Sequence, residues 1–251
     1  MYLKWDRKTI TDFSETNINS LYNQGYVFTR TGQGEMYQTR SLRIDLNKFE
    51  LSSENRRVLR KTEEIKLEAT PLPYADYNWT IGKLGKDFYD TKFGDKTPAP
   101  HRSEATGTVF SANKIKELMT EPEKSNFNSL LTYSTAIPTT KEESLSQSPI
   151  GYAICYQNSE ILHYCYPFYK LGTKNSELPP NLGLGMMLKA ILWAKEQNKK
   201  YFYLGSFQRP TDTYKLQFAG LEWWDGKKWK TDLEEIKNFN IIQKSNVKSQ
   251  N

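Results

Sequence analysis

Two glycines one residue apart, Gly183 and Gly185, stand in residues 180–185 (PNLGLG), just ahead of an apolar run. Glycine lets a backbone approach a ligand closely, and a helix N-terminus offers N–H groups to an anion. Together they are parts of a phosphate cradle, although a G-x-G by itself more often marks only a turn. Upstream, Arg56, Arg57, Arg60 and Lys61 fall within six positions. Such a run reads either as a solvated helix face or as a patch for phosphates. Around the glycines the order of elements is informative. A hairpin (GYAICYQNSEILHYCYP) precedes them; then come a helix (MMLKAILWAKEQNKK), a strand ending in glycine (YFYLG), a short helical stretch (TDTYKLQF) and a second hairpin (LEWWDGKKW).

The elements that must position such a site have ample material. The chain has 251 residues, 37% hydrophobic and 25% charged, with a net charge of +6. This composition supports a well-buried core in one large domain or two small ones. No apolar run approaches the roughly 20 residues that cross a bilayer, and MYLKWDRKTITDF carries no apolar secretory segment. No membrane association is expected, and the expected location is cytoplasmic. The two cysteines, Cys155 and Cys165, flank the tip of the first hairpin without facing each other. They read as buried thiols, and with only His101 and His163 to help them no metal site is expected.

Two parts are expected: a basic α+β region over residues 1–107 and a second domain over residues 108–251. In the first, SETNINSLYNQG predicts a helix with Ile18, Leu21 and Tyr22 on one face and Gly25 just past its end. YVFTRT and MYQTRSLRIDL predict strands, the latter with Leu42, Ile44 and Leu46 alternating against Arg43 and Asp45. Ser52 or Ser53 caps a helix that carries the arginines. FGDKTPAPHRSEATG and KEESLSQSP predict loops, and Ser111 or Asn113 caps a short helix between them. In the second domain, Gln157-Asn158-Ser159 turns the first hairpin and Asp225-Gly226 the last. The strand YFYLG is expected to lie parallel to the strand before the helix. The tail NVKSQN is expected to fray.

Two central parallel strands followed by an antiparallel hairpin resemble the GCN5-related acetyltransferase fold, whose central strands splay around the acyl donor. The resemblance implies an α+β fold with a mixed sheet and a smaller N-terminal α+β part. Pro180 stands where that fold's signature begins with Gln or Arg. Adding the N-terminal segment makes the chain resemble the arginyl-tRNA–protein transferases and their bacterial leucyl-transferase relatives. LYNQGYVFTRTG is similar to their L…GFRRSG opening. Arg43, Phe49, Ser53 and Arg56-Arg57 are similar to their R…F…S…RR block. NLGLGMMLKAILWAKEQNKKYFYLG and Tyr214, Lys215 and Phe218 are similar to their C-terminal helix, strand and K-x-x-Y-K-x-x-F element. The cysteine cluster common in that family is replaced here by Gly34 to Thr39.

This resemblance implies transfer of an aminoacyl group from charged tRNA to the N-terminal α-amine of an acceptor protein, as in N-degron tagging. The co-substrate is aminoacyl-tRNA, with no cofactor. It also implies roles. Tyr203 and Gly205 stand at the strand end where the reacting carbonyl lies, Tyr214 is the candidate general acid, and Lys215 holds a phosphate or the carbonyl. Arg209 and Asp212 frame the cleft. Arg56 and Arg57, with Ser53 in the same block, face tRNA phosphates. Arg30 and Arg43 take the acceptor end or an acidic N-terminal residue, and Gly183 and Gly185 approach a phosphate. Plainer readings stand beside these: core packing for Tyr203, a solvated side chain for Lys215, a helix cap for Asp212, and packing for His163, Trp223, Trp224 and Trp229. Two alternatives remain, an acetyl-CoA-dependent N-acetyltransferase and a non-catalytic tRNA-binding protein of the same fold.

Overall fold

Capping side chains set where the helices begin. In chain order the computed structural model contains β1 (Asp6–Thr9), α1 (Glu15–Asn23), β2 (Tyr26–Phe28), β3 (Glu35–Gln38), β4 (Ser41–Asp45), α2 (Ser53–Lys61), β5 (Ile65–Pro71), α3 (Trp79–Phe93), α4 (Ala112–Thr120), β6 (Ser129–Ala136), β7 (Gln147–Gln157), β8 (Ile161–Tyr169), α5 (Leu182–Glu196), β9 (Tyr201–Ser206), β10 (Leu221–Trp224) and β11 (Trp229–Lys230). The structure describes residues 3–94, 110–136, 147–172 and 178–237. Ser14 accepts from the Asn17 N–H at 3.4 Å to start α1, and Ser111 accepts from the Lys114 N–H at 3.1 Å to start α4. Gly25 follows α1 with φ of 78°, a conformation that glycine adopts without a Cβ clash. Of the loop expected over residues 93–107, Phe93 ends α3 instead and residues 95–107 lie outside the described residues, as do residues 141–146 of the second expected loop and the tail over residues 246–251. Gln147, Ser148 and Pro149 belong to β7 rather than to a loop.

The fold is mixed α+β, and the chain forms two compact units. The first comprises Met1–Ser52, Asn158–His163 and Ala194–Asn251; the second comprises Ser53–Gln157 and Tyr164–Trp193. This division differs from the linear boundary expected near residue 107. The physical reason is strand pairing at long range. β4, from the N-terminal part, pairs antiparallel with β10 on one side and with β9 on the other, so it is held by the C-terminal part. The alternation in LRIDL drives this, because Leu42, Ile44 and Leu46 are all buried.

In the first unit the strand order is β11-β10-β4-β9, followed by the first three residues of β8. β8 is parallel to β9, with Ile161↔Tyr201, Leu162↔Phe202 and His163↔Tyr203, as the sequence predicts. A small antiparallel sheet, β1-β3-β2, belongs to the same unit. MYQTRSLRIDL is therefore two strands, broken at Thr39-Arg40, where the Ser41 N–H donates to the Thr39 carbonyl at 2.6 Å. In the second unit β5, β6 and β7 form an antiparallel ladder. Met186, Leu188, Ala190 and Ile191 of α5 are fully buried there.

Candidate active site

β9 carries the chemistry-bearing end of the first unit. Along β4 its pairing runs Asp45↔Tyr201, Ile44↔Phe202 and Arg43↔Tyr203, then shifts to Leu42↔Gly205 and Ser41↔Ser206. Leu204 is the extra residue of a β-bulge, and Gly205 beside it takes φ of 70°. Glycine suits that backbone, which other residues enter only with strain. The registered pairing with β8 ends at Tyr203, three residues before β9 does. The Ser206 carbonyl, just beyond, accepts from Lys215 Nζ at 2.8 Å. Lys215 comes from the 3-10 segment Pro210–Gln217, which Asp212 anchors. The buried Asp212 carboxylate accepts from the Gln208 and Arg209 N–H groups, both at 2.9 Å. Asp212 thus shapes the turn that brings Lys215 back to the strand end. Tyr214, its neighbour, is 45% exposed.

Tyr203 is fully buried and belongs to a network around Arg43. Arg43 Nε donates to Glu222 Oε2 at 2.8 Å, and Nη1 donates to Asn23 Oδ1 at 2.9 Å and to the Tyr203 hydroxyl at 3.3 Å. The guanidinium lies between two rings, 3.9 Å from the Tyr201 centroid and 4.0 Å from that of Trp229. Burial pushes the Tyr203 phenol up to about 12, against the pull of the Arg43 charge. A phenol held so high keeps its proton, so Tyr203 is a hydrogen-bonding group and not a base. Arg43 sits inside this unit with its donors engaged by the protein's own groups, rather than presented to a tRNA acceptor end or to the acidic N-terminal residue of an acceptor. The sequence missed this because Glu222 lies 179 positions away. Trp223 packs with its Nε1–H donating to the Asp232 carbonyl at 2.8 Å.

Sequence reasoning set His163 aside, but the structure places it at this site. It is 3% exposed, and its Nδ1 lies 2.9 Å from the Tyr22 hydroxyl. Nε2 would be 3.6 Å from a Cβ on Gly205, so the imidazole lies directly beside the glycine. Burial, reinforced by the Lys215 charge, lowers the His163 pKa to about 3 and keeps the ring neutral. The available signal was its register opposite Tyr203, two residues before Gly205.

Arg30 follows β2 and is half-buried. Ser53, Arg56 and Arg57 are exposed on α2, in the second unit, with Arg57 Nε 3.0 Å from Glu54. Gly183 and Gly185 also fall in the second unit, and they lie within the first turn of α5 rather than in a loop ahead of it. A Cβ on Gly183 would come within 2.5 Å of the Tyr169 hydroxyl, and one on Gly185 within 2.5 Å of Thr62 Cγ2. These glycines therefore answer to packing. Cys155 is a buried free thiol, and burial pushes both cysteine thiols above their ordinary range. Among the described residues no group of three or more His, Cys, Asp or Glu comes together as a metal site would need. No described helix is long and apolar enough to cross a membrane.

No family model and no curated protein matches the sequence. Among solved structures the chain is similar to L-PGS from Bacillus licheniformis, with TM-score 0.41, 12% identity, and coverage of 78% of this chain and 52% of that one. It is similar to FemX, with TM-score 0.41, 10% identity and coverage of 77% and 60%. It is also similar to the GCN5-related glucosamine N-acetyltransferase region of a fungal multi-domain GH3 β-N-acetylglucosaminidase, with TM-score 0.41, 10% identity and coverage of 86% and 22%. The chain spans about half the length of L-PGS. Likenesses this distant say nothing of activity.

Proposed function

We propose that this chain is an aminoacyltransferase that moves an amino acid from charged tRNA to the α-amine of an acceptor protein, in the manner of N-degron tagging. The observation that carries the reading is the end of β9. There a left-handed Gly205, the Ser206 carbonyl and the Lys215 ammonium meet just past the last residue paired with β8. The sequence resemblance supplies the substrate class.

The chemistry needs little base. An α-amine has a pKa near 8, so roughly a tenth of it is neutral at pH 7. Its nitrogen forms a bond to the ester carbonyl carbon, and the ester C–O bond to the ribose then breaks. The amine proton passes to solvent or to a neighbouring group, and the departing ribose oxygen takes up a proton. Negative charge gathers on the carbonyl oxygen between these events, where fixed donors are worth most. Lys215, bonded to the Ser206 carbonyl, is a cation at this strand end, and the exposed Tyr214 is the candidate donor to the leaving oxygen. Arg56 and Arg57 hold tRNA phosphates in this reading, as exposed arginines on a basic helix can.

The test is an incubation with tRNA carrying labelled Arg, Leu or another amino acid, and peptides that begin with Asp, Glu, Arg or Lys. Acetyl-CoA is supplied in parallel. Label transferred from tRNA to the peptide amine supports the proposal. Label from acetyl-CoA alone replaces it with N-acetyl transfer, and tRNA binding without any transfer replaces it with a binding protein.

A further inference from the structure

Within the second unit α3 has a packing side and an open side. Gly82 and Gly85 make the packing side. A Cβ on Gly82 would come within 2.3 Å of the Tyr77 hydroxyl, and one on Gly85 within 2.3 Å of Ile115 Cδ1. Thr80, Lys83, Leu84 and Asp87 recur at the spacing of one helix face, and they border an open cavity of about 450 Å³. Tyr152 of β7 and Lys170, just past β8, line it as well. All of these residues belong to the second unit. Sites for small organic molecules span about 300–1,000 Å³, so the volume suits one.

Tyr152 points to a ligand. It is 5% exposed, and its ring packs against Phe168 with centroids 5.5 Å apart. Its hydroxyl has no hydrogen-bond partner among the described residues. A polar group that deep costs stability unless something enters to bond it. Burial, with a smaller push from Tyr74, raises the phenol to about 12, so it keeps its proton and can donate. The first turn of α3 is already served: Asn78 Oδ1 accepts from the Thr80 N–H at 3.1 Å, and the Asn78 carbonyl from the Ile81 N–H at 3.1 Å. Side chains therefore make the site, with the positive end of the helix dipole behind them. Among the lining residues, the Lys83 and Lys170 ammonium groups stand against the Asp87 carboxylate, which pairs with Lys83. The balance favours an anion, and Leu84 and Pro149 add an apolar wall. We propose that this cavity binds a small organic oxyanion, a carboxylate or phosphate carried on an apolar stem. Tyr152 donates to one of its oxygens, the lysines balance its charge, and the stem lies along Leu84 and Pro149. The site goes beyond the acyl-transfer reading and does not depend on it.

The probes are benzoate and phenyl phosphate, which carry an oxyanion on a ring. Inorganic phosphate, phenol and benzylamine are the comparisons. Binding is followed by proton–nitrogen NMR of the full chain. Benzoate or phenyl phosphate should move the amides of residues 80–84 and of Tyr152, with a Kd of about 1 mM for a ligand of so few atoms. Benzoate alone marks the ligand as a carboxylate, and phenyl phosphate alone as a phosphate. Inorganic phosphate and phenol, each lacking half of the ligand, should bind about tenfold more weakly or worse. Tyr152→Phe should weaken the bound probe about tenfold, and Lys83→Gln about threefold. Without probe, Tyr152→Phe should hold or raise the urea midpoint, because it removes an oxygen that no protein group bonds. A lowered midpoint gives that hydroxyl a partner inside the protein and overturns the proposal. It is also overturned if benzylamine matches benzoate, if inorganic phosphate matches phenyl phosphate, if Tyr152→Phe holds the probe as tightly as its parent, or if neither ring-borne oxyanion moves these amides.

Discussion

The two units use arginine in opposite ways. In the first, Arg43 spends its donors on Glu222, Asn23 and Tyr203 and both faces of its guanidinium on Tyr201 and Trp229. In the second, Arg56 and Arg57 stand in solvent on α2, with Glu54 Oε2 3.0 Å from Arg57 Nε. The sequence presents all three as one block of similar residues. What separates them is the company their positions keep: a strand alternating into a core for Arg43, and a polar helix face for the others. An arginine whose donors are already taken holds a fold together, whereas one in solvent can take a phosphate.

The sharpest break in that comparison is Arg43→Ala. It leaves the half-buried Glu222 with Lys48, 3.8 Å away, in place of a directed partner, and unfolding in urea should show a loss of about 3 kcal/mol. Arg43→Lys should recover only part of it, because an ammonium cannot stack between two rings while making three directed bonds. Gly185→Ala is the next largest, since its Cβ runs into Thr62; overpacking of this kind costs about 1–3 kcal/mol. His163 gives a pH signature. Its folded pKa is lowered to about 3, against about 6.5 when unfolded. Its contribution is therefore complete above pH 6.5 and is lost as the pH falls toward 3, by up to about 1.4 kcal/mol per unit. The difference in urea midpoints between wild type and His163→Phe, followed over pH, isolates this slope. The smallest effect belongs to α2. Arg56→Ala should leave stability within about 0.5 kcal/mol and, if the helix binds tRNA, flatten the salt dependence by about one unit of slope. An unchanged slope would remove α2 from the nucleic-acid surface.

Local signals were legible in the sequence and distant partners were not. The Ser111 cap, the turn at Asn158, the Asp225-Gly226 turn and the parallel setting of β9 could each be read from a few neighbouring residues. The start of α5 could not, because two glycines read as a turn when their lack of a side chain actually serves contacts with Tyr169 and Thr62. The fate of Arg43 depends on residues 20 and 179 positions away. So does the division into units, which follows the register of β4 rather than the order of the chain. His163 looked like an ordinary strand residue because its meaning comes from Tyr22, 141 positions earlier.

The single extra residue at Leu204 works as a phase shifter. Side chains alternate along a strand, so one inserted residue reverses the parity of everything after it. Deleting Leu204 would give a tidier ladder against β4, and it would turn Gly205 and Ser206 over to the wrong faces. A chain so repaired should also lose the burial of the Leu204 side chain, and its strand tip would point away from its chemistry, irregularity here being the device that aims the site.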